Sequence, residues 1–170
     1  MILGDFPETK KVSVETLEKI KTWLSVSLPK LGDNKQPNLV KKSLIKNISS
    51  KLINIIDEHP ELVTIQDKDG YNLGMICAQY GLEKVVINCL KDADAATQQN
   101  CRSQNIGMIA AAQPVQLKKA TLFALQNKEA VAQMDNQGRT IARLAYDFIE
   151  KEEVNKVLSE TAYEDVLSDL

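Results

Sequence analysis

A chain of 170 residues with 44% apolar and 26% charged residues has the composition of a folded domain, not of a disordered segment. Its 21 basic and 23 acidic residues leave a net charge of −2, so no overall positive field favours nucleic acid or an anionic membrane. No apolar run approaches a membrane span, and Met1-Ile2-Leu3-Gly4-Asp5-Phe6-Pro7 lacks the basic start and long apolar stretch of a secretory signal.

Aromatic residues are only 5% of the chain, so the core must be Leu, Ile, Val and Ala, which suits thin helical layers. The first element expected is a helix over residues 13–28. Val14, Leu17, Ile20, Leu24 and Leu28 recur at three- and four-residue steps, Ser13 is placed to cap it and Pro29 to end it. Residues 32–38 read as a loop by composition. Two helices follow over 39–48 and 50–57, with Leu44, Ile45, Ile48, Leu52, Ile53, Ile55 and Ile56 as their apolar set.

From there the chain repeats itself. Asn72-Leu73-Gly74-Met75-Ile76-Cys77-Ala78 returns 33 residues later as Asn105-Ile106-Gly107-Met108-Ile109-Ala110-Ala111, identical at five of seven positions. A turn, Asp67-Lys68-Asp69-Gly70, opens the first clear unit, with Gly supplying positive φ. Helices are expected over 73–80 and 82–90, broken by Gly81. The second unit starts near Asn100, with helices over 106–112 and 115–125, the latter opened by Pro114. Asp135-Asn136-Gln137-Gly138 opens the third, 68 residues after Asp67, with helices over 141–148 and 154–158. Offsets of 33 and 35 place a two-residue insertion near 113–116. Residues 1–36 then form an N-terminal helical extension or cap, 37–66 a degenerate unit, 67–99, 100–134 and 135–160 the clear units, and 161–170 a C-terminal cap or acidic tail.

These units resemble the ankyrin repeat, whose period is about 33 residues. Asp67, Gly70, Ala78, Gly81, Val85, Val86 and Leu90 fall where that family has its turn Asp and Gly, helix-A Ala, breaker Gly and helix-B apolar pairs. The Thr-Pro-Leu-His box is missing: Asn72-Leu73-Gly74-Met75, Asn105-Ile106-Gly107-Met108 and Thr140-Ile141-Ala142-Arg143 stand in its place. Asn or Thr keeps the capping role. Gly74, Gly107 and Ala142 keep one position small, for a close backbone approach. Met75 and Met108 either fill the space between layers or line a contact surface.

The resemblance implies an all-α helical-repeat solenoid that binds a protein partner through turn tips and the exposed side of helix A. Carried over by position, the contact residues are Lys68, Asp69, Tyr71, Gln79 and Tyr80 in the first clear unit. In the second they are Cys101, Arg102, Gln104 and Gln113, and in the third Asn136, Gln137, Arg139 and Asp147. Tyr71, Tyr80 and Arg102 are the expected anchors, because Tyr and Arg dominate interface hot spots.

Chemistry has few places to sit. His59, the one histidine, precedes Pro60 and is expected to end a helix. No catalytic triad or phosphate-binding Gly pattern is present. Asp67/Asp69 and Asp92/Asp94 read as turn and cap residues, and the Lys10-Lys11, Lys41-Lys42 and Lys118-Lys119 doublets as solvated faces. Cys77, Cys89 and Cys101 have neither a C-x-x-C pair nor a nearby histidine; they read as structural thiols in a reducing cytosol, with Cys101 the exposed one. Trp23 and Phe6 pack the N-terminal helix on the first unit or anchor a partner. The sequence-level expectation is a non-enzymatic adaptor or inhibitor with a protein partner and no nucleic acid, membrane, metal or cofactor. It would act in the cytoplasm, or in a host cytosol as a secreted bacterial effector. The rival is a small helical enzyme or ligand-binding domain with its site between the N-terminal helix and the repeats.

Overall fold

The first helix, α1 (Val14–Ser27), is fixed at its start by the Thr16 hydroxyl, which accepts the Ser13 N–H at 3.2 Å as in a capping box. It belongs to a computed structural model that describes residues 12–28 and 38–160. Among these residues the regular structure is helical, apart from one isolated antiparallel bridge between Gln66 and Asn72. The chain is therefore all-α. After α1 come α2 (Asn38–Glu58), a short 3-10 turn (Pro60–Thr64), α3 (Leu73–Gln79), α4 (Glu83–Leu90) and α5 (Ala93–Thr97). Then follow α6 (Ile106–Ala111), α7 (Pro114–Ala124), α8 (Lys128–Ala132), α9 (Ile141–Tyr146) and α10 (Lys151–Glu160).

Two expectations need correction here. The two helices expected over 39–57 are one continuous α2, because Asn47-Ile48-Ser49-Ser50 contains neither Gly nor Pro and Ile48 and Ser49 are both buried. Asn38, read as loop, is its first residue. The expected loop over 32–37, the Pro29 stop, Phe6 and the 161–170 segment lie outside the described residues.

Each clear unit is a helical hairpin: α3 packs on α4, α6 on α7 and α9 on α10. Across units, α3, α6 and α9 touch in series, and so do α2, α4 and α7. The short elements at Pro60–Thr64, α5 and α8 occupy the connecting segments that align in sequence. They touch one another as well. The core is nearly all aliphatic, and Leu17, Ile20 and Leu24 bring α1 fully into it. Burying each such side chain contributes about 1.5–3 kcal/mol, so α1 is part of the fold.

A lattice of side-chain amides holds the units in register. Asn72 caps α3, its Oδ1 accepting from Met75 N at 3.0 Å, while its Nδ2 donates to Ala95 O and Gln98 Oε1, both at 2.9 Å. Asn105 repeats the arrangement with Met108 N at 2.9 Å, Ala130 O at 3.0 Å and Gln133 Oε1 at 2.8 Å. Gln98 and Gln133 in turn donate back to Thr64 O and Thr97 O, each at 2.7 Å. The third unit ends the pattern. Thr140 caps α9 through Arg143 N at 3.2 Å but has no second donor to reach onward.

Steric complementarity follows the same register. A Cβ on Gly74 would meet Ile106 Cδ1 at 2.5 Å, and one on Gly107 would meet Ile141 Cδ1 at 2.5 Å and Ala124 Cβ at 2.8 Å. The small position thus admits the next unit's isoleucine, where a backbone approach was expected. Met75 and Met108 are fully buried, which makes them packing residues. The insertion is localised too. Asn72 and Asn105 keep the 33-residue offset, whereas buried Val85, Cys89 and Leu90 match Ala120, Ala124 and Leu125 at 35. The extra residues fall between Ala111 and Leu117, and Leu117 has non-helical φ/ψ (−124, 24) inside α7.

Gly107→Ala should destabilise by up to about 2 kcal/mol in urea unfolding, since overpacking of about 1–3 kcal/mol is set against a helix gain of roughly 1 kcal/mol. Ile141→Val, which deletes the clashing Cδ1, should recover part of that loss in the double variant. Asn105→Ala should cost about 2–4 kcal/mol, because a lost cap leaves Ala130 O and Gln133 underpaired. Thr140→Ala should cost only about 1 kcal/mol.

Candidate protein-interaction surface

Three turns of identical construction present the candidate residues. In the first, Asp67 Oδ1 accepts from Asp69 N at 3.0 Å and Tyr71 N at 2.8 Å. Asn100 does the same for Arg102 N (2.8 Å) and Gln104 N (3.1 Å), and Asp135 for Gln137 N (2.9 Å) and Arg139 N (3.0 Å). Each turn closes as a three-residue hairpin, for example Asp67 N to Tyr71 O at 2.9 Å. The closing position has positive φ: +80° at Gly70, +57° at Ser103 and +70° at Gly138. Asp67 and Asp69 are therefore turn residues, as expected, and Asp92 caps α5 through Ala95 N at 2.9 Å.

Successive tips are tied together by the backbone. Cys101 N donates to Asp69 O at 2.9 Å and Asn136 N to Arg102 O at 3.2 Å, and the Ser103 hydroxyl donates to Asn136 Oδ1 at 2.6 Å. Lys68, Asp69, Cys101, Arg102, Asn136 and Gln137 consequently lie along one edge, all exposed. Tyr71, Gln104 and Arg139 sit just behind and are half-buried. The Arg139 guanidinium is occupied, donating to Asp135 Oδ2 through two N–H groups at 3.0 and 2.8 Å.

Four candidates lie elsewhere. Gln79, Tyr80, Gln113 and Asp147 lie at or just past the opposite ends of α3, α6 and α9, about 10 Å along a seven-residue helix from the tips. Gln79 is half-buried and Asp147 exposed. Tyr80 is only 4% exposed and belongs to the core, so it is not a surface anchor. Its neighbours include Lys21 of α1 and Cys77. Gln113 is half-buried with its Oε1 enclosed. The equivalent third-unit position is Phe148, which is 64% exposed.

One neighbour of the tips was not foreseen in the sequence. Lys21 reaches from α1 to Asp67 Oδ2 at 2.6 Å, with the carboxylate side chain 0% exposed and the lysine 37%. Lys21 sits four residues after Leu17, at the margin of the apolar stripe, and that margin was the only available signal. Burial raises the Asp67 carboxyl, but the Lys21 ammonium and two backbone N–H groups outweigh it and hold the group below its ordinary 3.8. Trp23, also on α1, packs against the core.

Other chemistry is sparse. Cys77 and Cys89 are fully buried, and desolvation pushes the Cys89 thiol up to about 12, which makes both poor nucleophiles. Cys101 is exposed. His59 ends α2, its N–H donating to Ile55 O at 2.8 Å. Among the described residues no group of His, Cys, Asp or Glu has the arrangement of a metal site. No described helix is long and apolar enough to cross a membrane.

A carboxylate whose folded pKa is depressed stabilises the fold above its unfolded pKa, and that contribution is lost as pH falls through the folded value. The docking of α1 should accordingly be flat through neutral pH and weaken below 3.8. Trp23, the one tryptophan, reports it by fluorescence. Asp67→Asn keeps the turn acceptor, as Asn100 does naturally, and should remove that acid step. No protein-family model, curated protein or solved structure matches the chain.

Proposed function

We propose that this chain is a divergent ankyrin-like solenoid and acts as a non-enzymatic protein-interaction module, an adaptor or inhibitor. The contact surface is the row of turn tips, Lys68-Asp69, Cys101-Arg102 and Asn136-Gln137, with Tyr71 and Gln104 behind it. One observation carries this reading: the tips are joined by the Cys101–Asp69 and Asn136–Arg102 backbone bonds into a single exposed edge. Such an edge is rigid before a partner arrives, so little ordering entropy is lost on binding. Its side chains are long, polar and of both charges, which fits recognition of a mixed polar surface better than enclosure of a small molecule. The 33-residue period, the helical hairpins in series and the shared turn construction support the ankyrin-like part of the reading.

Arg102 is the expected hot spot, with Lys68 and Gln137 flanking it. Lys68→Ala/Arg102→Ala/Gln137→Ala changes only exposed side chains and should leave the circular dichroism spectrum unaltered. A protein captured from lysate by the wild type should bind this variant more weakly by at least about 2 kcal/mol in calorimetry. Equal affinity for the two forms would remove the tip row as the contact surface.

A further inference from the structure

Charge is distributed unevenly along the chain. Residues 38–56 contain four lysines, Lys41, Lys42, Lys46 and Lys51, and no acid. Residues 147–170 contain eight acids against Lys151 and Lys156. On α2 the side chains of Lys42, Lys46 and Lys51 are exposed, with Ser43, Asn47, Ser50 and Asn54 between them. None of the three lysines enters an ion pair among the described residues, although Lys19, Lys21 and Lys118 do. At helical spacing Lys42 and Lys46 border Ile53 on one margin of this face, and Lys51 borders Leu44 and Ile55 on the other. All three aliphatic side chains are only partly buried. The face therefore offers cationic heads beside uncovered apolar area.

The chain itself contains a segment of matching chemistry. Thr161–Leu170 places Tyr163, Val166, Leu167 and Leu170 at i, i+3, i+4 and i+7, with Glu164, Asp165 and Asp169 as its charges and no base. It follows α10, and α10 lies far from α2. Contacts run from α2 to α4 to α7, and α7 meets α10 through Lys118 and Glu153 at 2.6 Å. At about 9 Å per helix pair this is roughly 27 Å. Ten residues at helical rise would span only about 15 Å, short against that separation, which favours the α2 face of a second copy.

From this complementarity we infer that the basic face of α2 is a self-association surface that takes residues 161–170 of a second copy. With two copies antiparallel, each basic end lies beside the other's acidic end, and both contacts form at once around a two-fold axis. The assembly closes at a dimer. Nucleic acid would meet the same lysines but offers no aliphatic groups to Leu44, Ile53 and Ile55, whereas residues 161–170 carry both acidic and aliphatic side chains.

Sedimentation of the full chain tests this in about 0.01 M and about 1 M salt, where the screening length falls from about 30 Å to about 3 Å. A dimer at low salt that dissociates at high salt is expected. Lys42→Glu/Lys46→Glu/Lys51→Glu and Glu164→Lys/Asp165→Lys/Asp169→Lys should each weaken dimerisation about tenfold or more. Mixing the two variants should restore a dimer, because every face then meets its opposite charge. That recovery also shows both variants to be folded. A wild type that stays monomeric at low salt, or assembles beyond two copies, overturns the inference. Variants that still pair with themselves, or fail to pair with each other, do so as well.

Discussion

The buried amide side chains of Asn72 and Asn105 are the constraint on which the rest of the molecule depends. Each is fully enclosed, and an enclosed amide left unpaired costs about 1–3 kcal/mol. The cost is avoided only when three groups arrive together: the N–H of the first turn of its own helix, and a carbonyl and a Gln side chain from the segment that leads into the next unit. A helix start and the connector of its unit are thereby fixed by one residue, and Gln98 and Gln133 carry the tie on to Thr64 O and Thr97 O of the preceding unit. Capping with Ser or Thr would satisfy the helix and leave the neighbour unspecified, as Thr140 does where the lattice ends.

Register set by these amides lets the apolar contacts be close. Gly74 and Gly107 carry no Cβ where Ile106 and Ile141 press in, and the helix-propensity loss of roughly 1 kcal/mol at each glycine is offset by the packing it permits. The same lattice explains why two extra residues are tolerated between Ala111 and Leu117. They enter between α6 and α7, away from the amide bonds at the start of α6 and along the α8 connector. Their distortion is taken up at Leu117, and Lys119 N finds Glu83 Oε1 of the preceding unit at 2.8 Å.

A rigid interior leaves the tips as the place where side chains can vary without disturbing the packing. Their shape is fixed by Asp67, Asn100 and Asp135, which face inward, while the residues between them face solvent. Helix α1 covers the inner side of the first tip, since its Lys21 seals the buried Asp67 carboxylate.

The local elements were readable because local rules produce them. Period, caps at Asn72, Asn105 and Thr140, breakers at Gly81 and Pro114, and the turn at Asp67–Gly70 follow from hydrogen bonds and sterics within a few residues. The site was half legible. Tip residues such as Lys68, Arg102 and Gln137 are exposed as their turn chemistry requires, whereas Tyr80 was misplaced because its burial depends on elements distant in sequence. Tertiary structure alone decided that Arg139 is spent on Asp135, that Lys21 docks on Asp67, and that Gly74 receives an isoleucine and not a backbone. In each case the deciding partner is distant, or competes with solvent at an angle that only packing sets, and no single-sequence pattern encodes that distance.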